Sequence, residues 1–352
     1  MKKIFLFLIL ALLVPAMVLT GCAQPSAQGT AAESEPDITV YTSFYVLYDF
    51  ANQIGGDRVE VMNLLPPGVE PHDWEPTSQA MVRLSAADLL LINGLDLEPW
   101  IDTIVDGLDG NITVINTSEG IDPLKGYAGH SHSHYHDDDC DHDDDEDCEY
   151  DHDEECDDDD DHGDDNNSGQ DDDHEDEKMP DPHVWLDPLL ALHQAEQIAG
   201  ALIEMDPEYE EVYLENLALF TARIEELDNE YREALTNLAR HEFIVTHLSF
   251  AYLAERYGLE QVGISGLSPH AEPSPAQMAK IMDFAAEHDV RHIFQEPLVT
   301  SRLAEVLADD LGAEILELNP LEGLTEDELA AGEDYFSIMR RNLEQLKIAL
   351  AE

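Results

Sequence analysis

The chain is predicted to be an α/β protein of two lobes, each a mainly parallel sheet flanked by helices, joined by one long helix. Three observations carry this reading. Short apolar runs alternate with helical patterns before residue 129 and again after residue 240. The stretch 207–239 contains no proline or glycine after Pro207 and repeats apolar side chains at helical spacing. Between these regions lies an acidic tract that offers a core nothing to bury.

Strand and helix alternate in order along the first lobe. Ile38 to Tyr41 reads as a strand, and Tyr45 to Ile54 follows with helical spacing until Gly55-Gly56 stops it. Val59 to Leu65 is a second strand, ending at Pro66-Pro67-Gly68. Thr77 to Ala87 is a helix with Thr77 as N-cap, Asp88 to Asn93 a buried strand, Pro99 to Leu108 a helix and Ile112 to Ile115 a strand. Such alternation argues for a parallel sheet covered on both faces. After the tract, Asp187 to Met205 is a helix with Pro188 at its start. The stretch 207–239 then makes one amphipathic helix, with apolar positions at Val212, Leu214, Leu217, Phe220, Ile224, Leu227, Tyr231, Leu235 and Leu238. In the second lobe, strands are predicted at Phe243–Thr246, Gln261–Ile264, His292–Gln295 and Glu314–Leu318. Helices are predicted at Phe250–Tyr257, Pro275–His288, Ser301–Leu311 and Tyr335–Leu350. The expected domains are an N-terminal lobe over 37–205, a linking helix over 206–239 and a C-terminal lobe over 240–352. A cleft between lobes is where a ligand is expected.

Residues 130–178 carry 27 Asp or Glu and one Lys, together with Cys140, Cys148 and Cys156. Histidines stand at His130, His132, His134, His136, His142, His152, His162 and His174. This segment lacks apolar side chains and repels itself, which predicts a disordered loop over 129–178. Imidazole, thiolate and carboxylate are all metal ligands, so the eight histidines are candidates for weak accessory sites. Of the formal net charge of −63 the tract supplies −26, and the remainder still carries −37. With only 16 Lys and Arg, the chain lacks the means to neutralise phosphates, which argues against nucleic acid as a partner. An acidic body attracts cations instead.

The N-terminus reads as a secretion signal. Lys2 and Lys3 precede an apolar run from Ile4 to Leu19 that is interrupted by Pro15. A spanning helix needs roughly 20 apolar residues, more than this run provides. Leu19-Thr20-Gly21-Cys22 resembles the lipobox of bacterial lipoproteins. That implies cleavage after residue 21, a lipid on Cys22 that anchors the chain to a membrane outside the cytoplasm, and a tether over 22–36. The three remaining cysteines all lie in the tract, so disulfides cannot brace the lobes.

Three histidines outside the tract share a setting. His72 lies in Glu70-Pro71-His72-Asp73-Trp74-Glu75-Pro76, after the second strand. His183 lies in Asp181-Pro182-His183-Val184-Trp185-Leu186-Asp187-Pro188, before a helix. His247 follows the strand Phe243–Thr246. Ligands of α/β lobes gather where strands end, and a neighbouring proline stiffens a loop that must present a ligand. Three imidazoles with one further ligand suit tetrahedral zinc. No His-Glu-x-x-His occurs, because Glu242 follows His241 but the next histidine is His247 and not residue 245. An enzyme is therefore not expected.

These segments, with Gly263-Ile264-Ser265-Gly266-Leu267-Ser268-Pro269, resemble the metal-specific solute-binding proteins of bacterial ABC importers, and in particular their zinc-binding, ZnuA-like branch. The resemblance runs from about Ile38 to the C-terminus and is interrupted only by the tract. It implies a metal between two lobes, with His72, His183 and His247 as ligands and Zn2+ as the transported cargo. It also implies delivery to an ABC permease and its ATPase, by a monomer. A manganese or iron carrier is the alternative, since relatives of that kind place a carboxylate at the position of His247. A secreted metal buffer or adhesin without an importer is another. The family places an acidic ligand before Pro-Leu near the C-terminus, where this chain has Asn319 in Leu318-Asn319-Pro320-Leu321-Glu322. The fourth ligand is thus left open among Asn319, Glu70, water and a tract residue, with Asn319→Asp expected to tighten zinc binding. His270 stands where relatives often carry Glu, and Glu296 is expected to support a ligand from behind.

Overall fold

The computed structural model describes residues 38–72, 74–107, 112–127, 178–271 and 273–351. The signal segment, Cys22, the tether and the tract's eight histidines and three cysteines lie outside the described residues.

The first sheet contains β1 (Ile38–Thr42), β2 (Val59–Asn63), β3 (Leu89–Ile92) and β4 (Thr113–Asn116), in the order β2-β1-β3-β4 and all parallel. Its connections are α1 (Tyr45–Gly55), α2 (Ser78–Leu84) and α3 (Ile101–Gly107). A two-stranded antiparallel ribbon follows, β5 (Lys125–Tyr127) against β6 (Lys178–Pro180). It was not anticipated, because three-residue strands beside an acidic run show no periodicity. The ribbon ties together the two ends of the tract. A Cβ on Gly126 would lie 2.7 Å from a methyl of Leu267, so glycine lets the ribbon sit against that side chain without displacing it.

Next come α4 (Pro188–Met205) and α5 (Glu210–Ala234). The second sheet contains β7 (Glu242–Val245), β8 (Glu260–Gly263), β9 (His292–Gln295) and β10 (Glu314–Glu317), in the order β10-β9-β7-β8 and again all parallel. Its helices are α6 (Ala251–Tyr257), α7 (Pro275–Glu287), α8 (Arg302–Leu311), α9 (Glu326–Ala331) and α10 (Tyr335–Leu350).

Local signals account for the helix ends. Thr77 accepts the Ala80 N–H, Asp187 caps α4 with Pro188 at its first position, and Ser274, Thr325 and Asp334 each complete a capping box. Helix α9 was not read from the sequence, although Thr325 and Glu328 form its box.

The long helix is shorter than expected. It stops at Ala234, with Leu235 as C-cap, and begins after a separate turn at Pro207–Tyr209. Its buried seam is Tyr213, Phe220, Ile224, Leu227 and Tyr231, at steps of seven, four, three and four. Val212 and Leu214, expected on the apolar face, point outward at 40% and 46% exposure, because the Tyr213 ring takes the inward place between them.

The central strands of each sheet are buried on both faces, as is usual for parallel sheets. In the first, Tyr41, Leu90 and Ile92 face a small core with Leu84, Trp100 and Ile104, while Val40, Leu89 and Leu91 face the opposite way. In the second, Ile244, Val262 and Ile293 pack on α7 and α8, while Phe243, Val245 and Phe294 face the opposite way. The two facing sets belong to one continuous core, filled by α1, α4, α5 and α10. The lobes therefore share their interior.

Candidate metal centre

The carboxyl ends of the strands supply the site. His72 sits in the loop after β2, His247 two residues beyond β7, and Glu322 in the loop after β10. His183 lies between β6 and α4. Their ligand atoms all fall within 4.8 Å of one another. Glu322 Oε1 is 3.0 Å from His183 Nε2, 3.3 Å from His72 Nε2 and 3.4 Å from His247 Nε2. The two buried imidazoles are themselves 3.4 Å apart, Nε2 to Nε2. Tetrahedral zinc with bonds of about 2.0–2.1 Å sets its ligand atoms roughly 3.3 Å apart. The three contacts of Glu322 and the His183–His247 pair are already near that spacing, and all four donors lie within 4.8 Å of one another.

Each loop is fixed by named contacts. Asp181 accepts the backbone N–H of His183 at 2.9 Å and faces its Nδ1 at 2.8 Å, leaving Nε2 for the centre. The Tyr252 hydroxyl donates to the Asp181 carbonyl, and Asn93 Nδ2 donates to the Pro182 carbonyl. Asp187 caps α4 and pairs with Arg256. Glu296, just past β9, does for His247 what Asp181 does for His183. Its Oε1 lies 2.5 Å from His247 Nδ1 and also accepts the Thr246 hydroxyl. A carboxylate behind a ligating imidazole fixes its tautomer and raises its basicity. Trp185 Nε1 donates to the Pro320 carbonyl at 2.7 Å, which ties the His183 segment to the Glu322 loop. The Gly68 N–H donates to the Leu324 carbonyl, which ties the His72 loop to it as well.

His183, His247 and Glu322 are almost fully buried. Burial pushes the Glu322 carboxyl up, but the imidazoles of His247, His183 and His72 outweigh it and hold the group well below the usual carboxylate range. Burial pushes His247 down, and the carboxylates of Glu296 and Glu322 more than reverse this. His183 is raised in the same way by Asp181 and Glu322. The His72 Nε2 is buried without a well-formed hydrogen bond, although Glu322 stands beside it. Such an orphaned donor atom fits a metal ligand better than a structural histidine.

The fourth donor in the cluster is Glu322, which the sequence reading did not name. Asn319 does not join the donor set. Its Oδ1 accepts the Leu321 N–H at 2.7 Å, its Nδ2 donates to Glu328, and its backbone exchanges two hydrogen bonds with the Asn342 side chain. It shapes the turn that presents Glu322, in which Leu321 adopts a left-handed φ of 63°. Glu70 stands at the rim, its Oε1 accepting the His72 N–H and lying 3.9 Å from His72 Nε2. His270 is beyond it, 3.6 Å from Glu70 Oε2. Glu322 went unread in a chain with 79 acidic residues. The signal that could have marked it is its place among Leu321, Gly323 and Leu324, where a solvated acid has no reason to be.

Comparison with known proteins agrees with this architecture. The family model described as "Zinc-uptake complex component A periplasmic" matches residues 40–349. The high-affinity zinc uptake system protein ZnuA of Bacillus subtilis is 35% identical over 95% of this chain and 94% of its own length. The zinc-binding lipoprotein AdcA of Streptococcus pneumoniae is 32% identical over 99% of this chain, which spans 61% of that longer protein. The crystal structure of the Zn(II)-bound ZnuA-like domain of Streptococcus pneumoniae AdcA superposes with a TM-score of 0.67, at 30% identity, covering 90% of this chain and 99% of that domain.

Proposed function

The chain belongs to the family of zinc-uptake complex A components, and we propose that it captures Zn2+ outside the cytoplasm and delivers it to an ABC permease. The observation that carries this is the preorganised set of His72, His183, His247 and Glu322, whose ligand atoms all converge within 4.8 Å of one another. Three imidazoles and one carboxylate favour zinc over manganese, which prefers an oxygen-rich shell. Four protein donors also close the coordination sphere. A hydrolytic zinc keeps a position open for water, so the arrangement supports a carrier and not an enzyme.

The mechanism is ligand exchange. In the metal-free protein the Glu322 carboxylate lies against all three imidazole edges, and protons on His183 and His247 face it. An arriving Zn2+ displaces those protons, and Asp181 and Glu296 stabilise the polarised rings from behind. Little rearrangement is needed, because the donors already converge. Release is the harder step. A site tight enough to scavenge does not empty quickly on its own, so the permease must pull the His72 and Glu322 loops apart from the two fixed histidines. In this account the chain works as a monomer anchored through lipid on Cys22, and the tract collects zinc weakly.

The test is metal selection by the full chain. Dialysis against equal zinc, manganese and iron, followed by elemental analysis, is expected to return one retained zinc per chain at chelator concentrations that strip the tract. Retention of manganese or iron in its place would refute the assignment.

A further inference from the structure

The donor groups around the centre form a graded line from solvent inward. The side chain of His270 is 54% exposed, those of Glu70 and His72 are 10% and 12% exposed, and those of Glu322, His183 and His247 are 2% or less. Their ligand atoms follow the same order. His270 Nε2 is 3.6 Å from Glu70 Oε2, Glu70 Oε1 is 3.9 Å from His72 Nε2, and His72 Nε2 is 3.3 Å from Glu322 Oε1. Two ligand atoms on one zinc lie roughly 3.3–3.6 Å apart at tetrahedral geometry. A single ion can bridge each gap in turn, the widest one by opening its ligand–metal–ligand angle.

Glu70 is the odd member of this line. Its carboxylate is nine-tenths buried, and Oε2 has no hydrogen-bond partner, although Oε1 accepts the His72 N–H. A buried carboxyl oxygen without a donor is costly to maintain. Glu70 is not among the four clustered ligands, and its Oε2 lies 3.6 Å from His270 Nε2.

We infer that Glu70 and His270 form an outer transfer site, which holds Zn2+ briefly on its way to and from the buried centre. The inference rests on the reading of the buried centre as the zinc site. An ion held by the Glu70 carboxylate and His270 Nε2, with water completing its shell, exchanges water for His72 Nε2. His270 then leaves as Glu322 joins, and His183 and His247 displace Glu70. At every stage at least one protein ligand stays bound, so the ion is never returned to bulk water on the path. Neither Glu70 nor His270 belongs to the final set. They lower the barrier without stabilising the end state, and so must speed entry and exit by the same factor.

That equality is the test, in the full chain. All three tryptophans, Trp74, Trp100 and Trp185, lie outside the tract, and the Trp185 ring is 5.4 Å from His183, so intrinsic fluorescence follows filling of the centre. Stopped-flow mixing with Zn2+ gives the association rate, and mixing of the loaded protein with excess chelator gives release. For His270→Ala, both rates are expected to fall by about fivefold or more, while the equilibrium Kd stays within about twofold. Glu70→Gln keeps an acceptor for the His72 N–H and is expected to show the same pattern. His241→Ala, which removes another exposed imidazole, is expected to change neither rate. Unchanged rates in His270→Ala and Glu70→Gln overturn the transfer site alone. So does a weaker Kd with an unchanged association rate, which would make these residues part of the resting site. Absence of a tight zinc step in the unsubstituted chain overturns the zinc centre together with the transfer site.

Discussion

Removing a carboxylate from water costs several kcal/mol unless partners replace the lost hydration. Glu322 has three imidazoles for that purpose, and each of the two deepest imidazoles has a second carboxylate behind it. The result is a layered charge arrangement that a divalent cation can enter by replacing protons. The pH dependence follows in sign. His183 and His247 are raised above 6.5, and both must be neutral to ligate. Zinc affinity is therefore expected to fall with decreasing pH from a point above 6.5, by up to about tenfold per pH unit for each proton displaced. Competition titrations across pH 5.5 to 8.5 check this, and a flat profile contradicts it. In the metal-free protein the linkage runs the other way. The two raised histidines add stability that is complete below 6.5 and is lost as pH rises through their folded values. Asn319 gives the complementary prediction. Its amide donates to Glu328, so Asn319→Asp sets two carboxylates against each other. Zinc binding is expected to be no tighter, and thermal unfolding to show a loss of about 1–3 kcal/mol. This reverses the expectation drawn from family pattern alone.

At the scale of elements, the chain announces what is periodic or capped. The strand His292–Gln295 and the helix Tyr335–Leu350 appear at their expected bounds, and apart from the shortened α5 the remaining predicted helices and strands fall close to theirs, because apolar alternation and N-caps are local signals. The three histidines were legible for the same reason, each lying in a loop beside a strand end or a proline. What stayed hidden is non-local. The ribbon β5–β6 depends on two short segments meeting across the tract, and Glu322 depends on a turn shaped by Asn319 and Asn342. The facing of α5 was misjudged where neighbouring apolar residues, Val212, Tyr213 and Leu214, compete for one inward place. Ile224→Ala on the buried seam is expected to cost about 2–5 kcal/mol. Leu214→Ala on the open side is expected to stay within about 0.5 kcal/mol. Chemical denaturation distinguishes them, and equal effects would mean that the seam is wrongly assigned.

At the scale of the molecule, the two sheets share one core through α1, α4, α5 and α10, so large lobe rotation is disfavoured. The ligand loops are instead tied directly to one another, through Trp185 to Pro320 and Gly68 to Leu324. On the proposed function, capture then amounts to filling a preset site, and release to loosening two loops. The four cysteines all lie outside the described residues, at 22, 140, 148 and 156. X-ray absorption at one zinc per chain is therefore expected to show nitrogen and oxygen neighbours near 2.0–2.1 Å and no sulfur near 2.3 Å. A sulfur shell would place the first zinc in the tract.

The claim that the folded centre, completed by Glu322, is the tight site is tested most directly by zinc competition against a chelator in the full chain and in Glu322→Gln. The tract is identical in both proteins, so its contribution cancels. Loss of an outer partner of a ligand typically weakens metal binding by roughly 10–100-fold, and loss of the ligand itself is expected to exceed that range. An affinity within about threefold of the unsubstituted chain, well inside that range, would contradict the account.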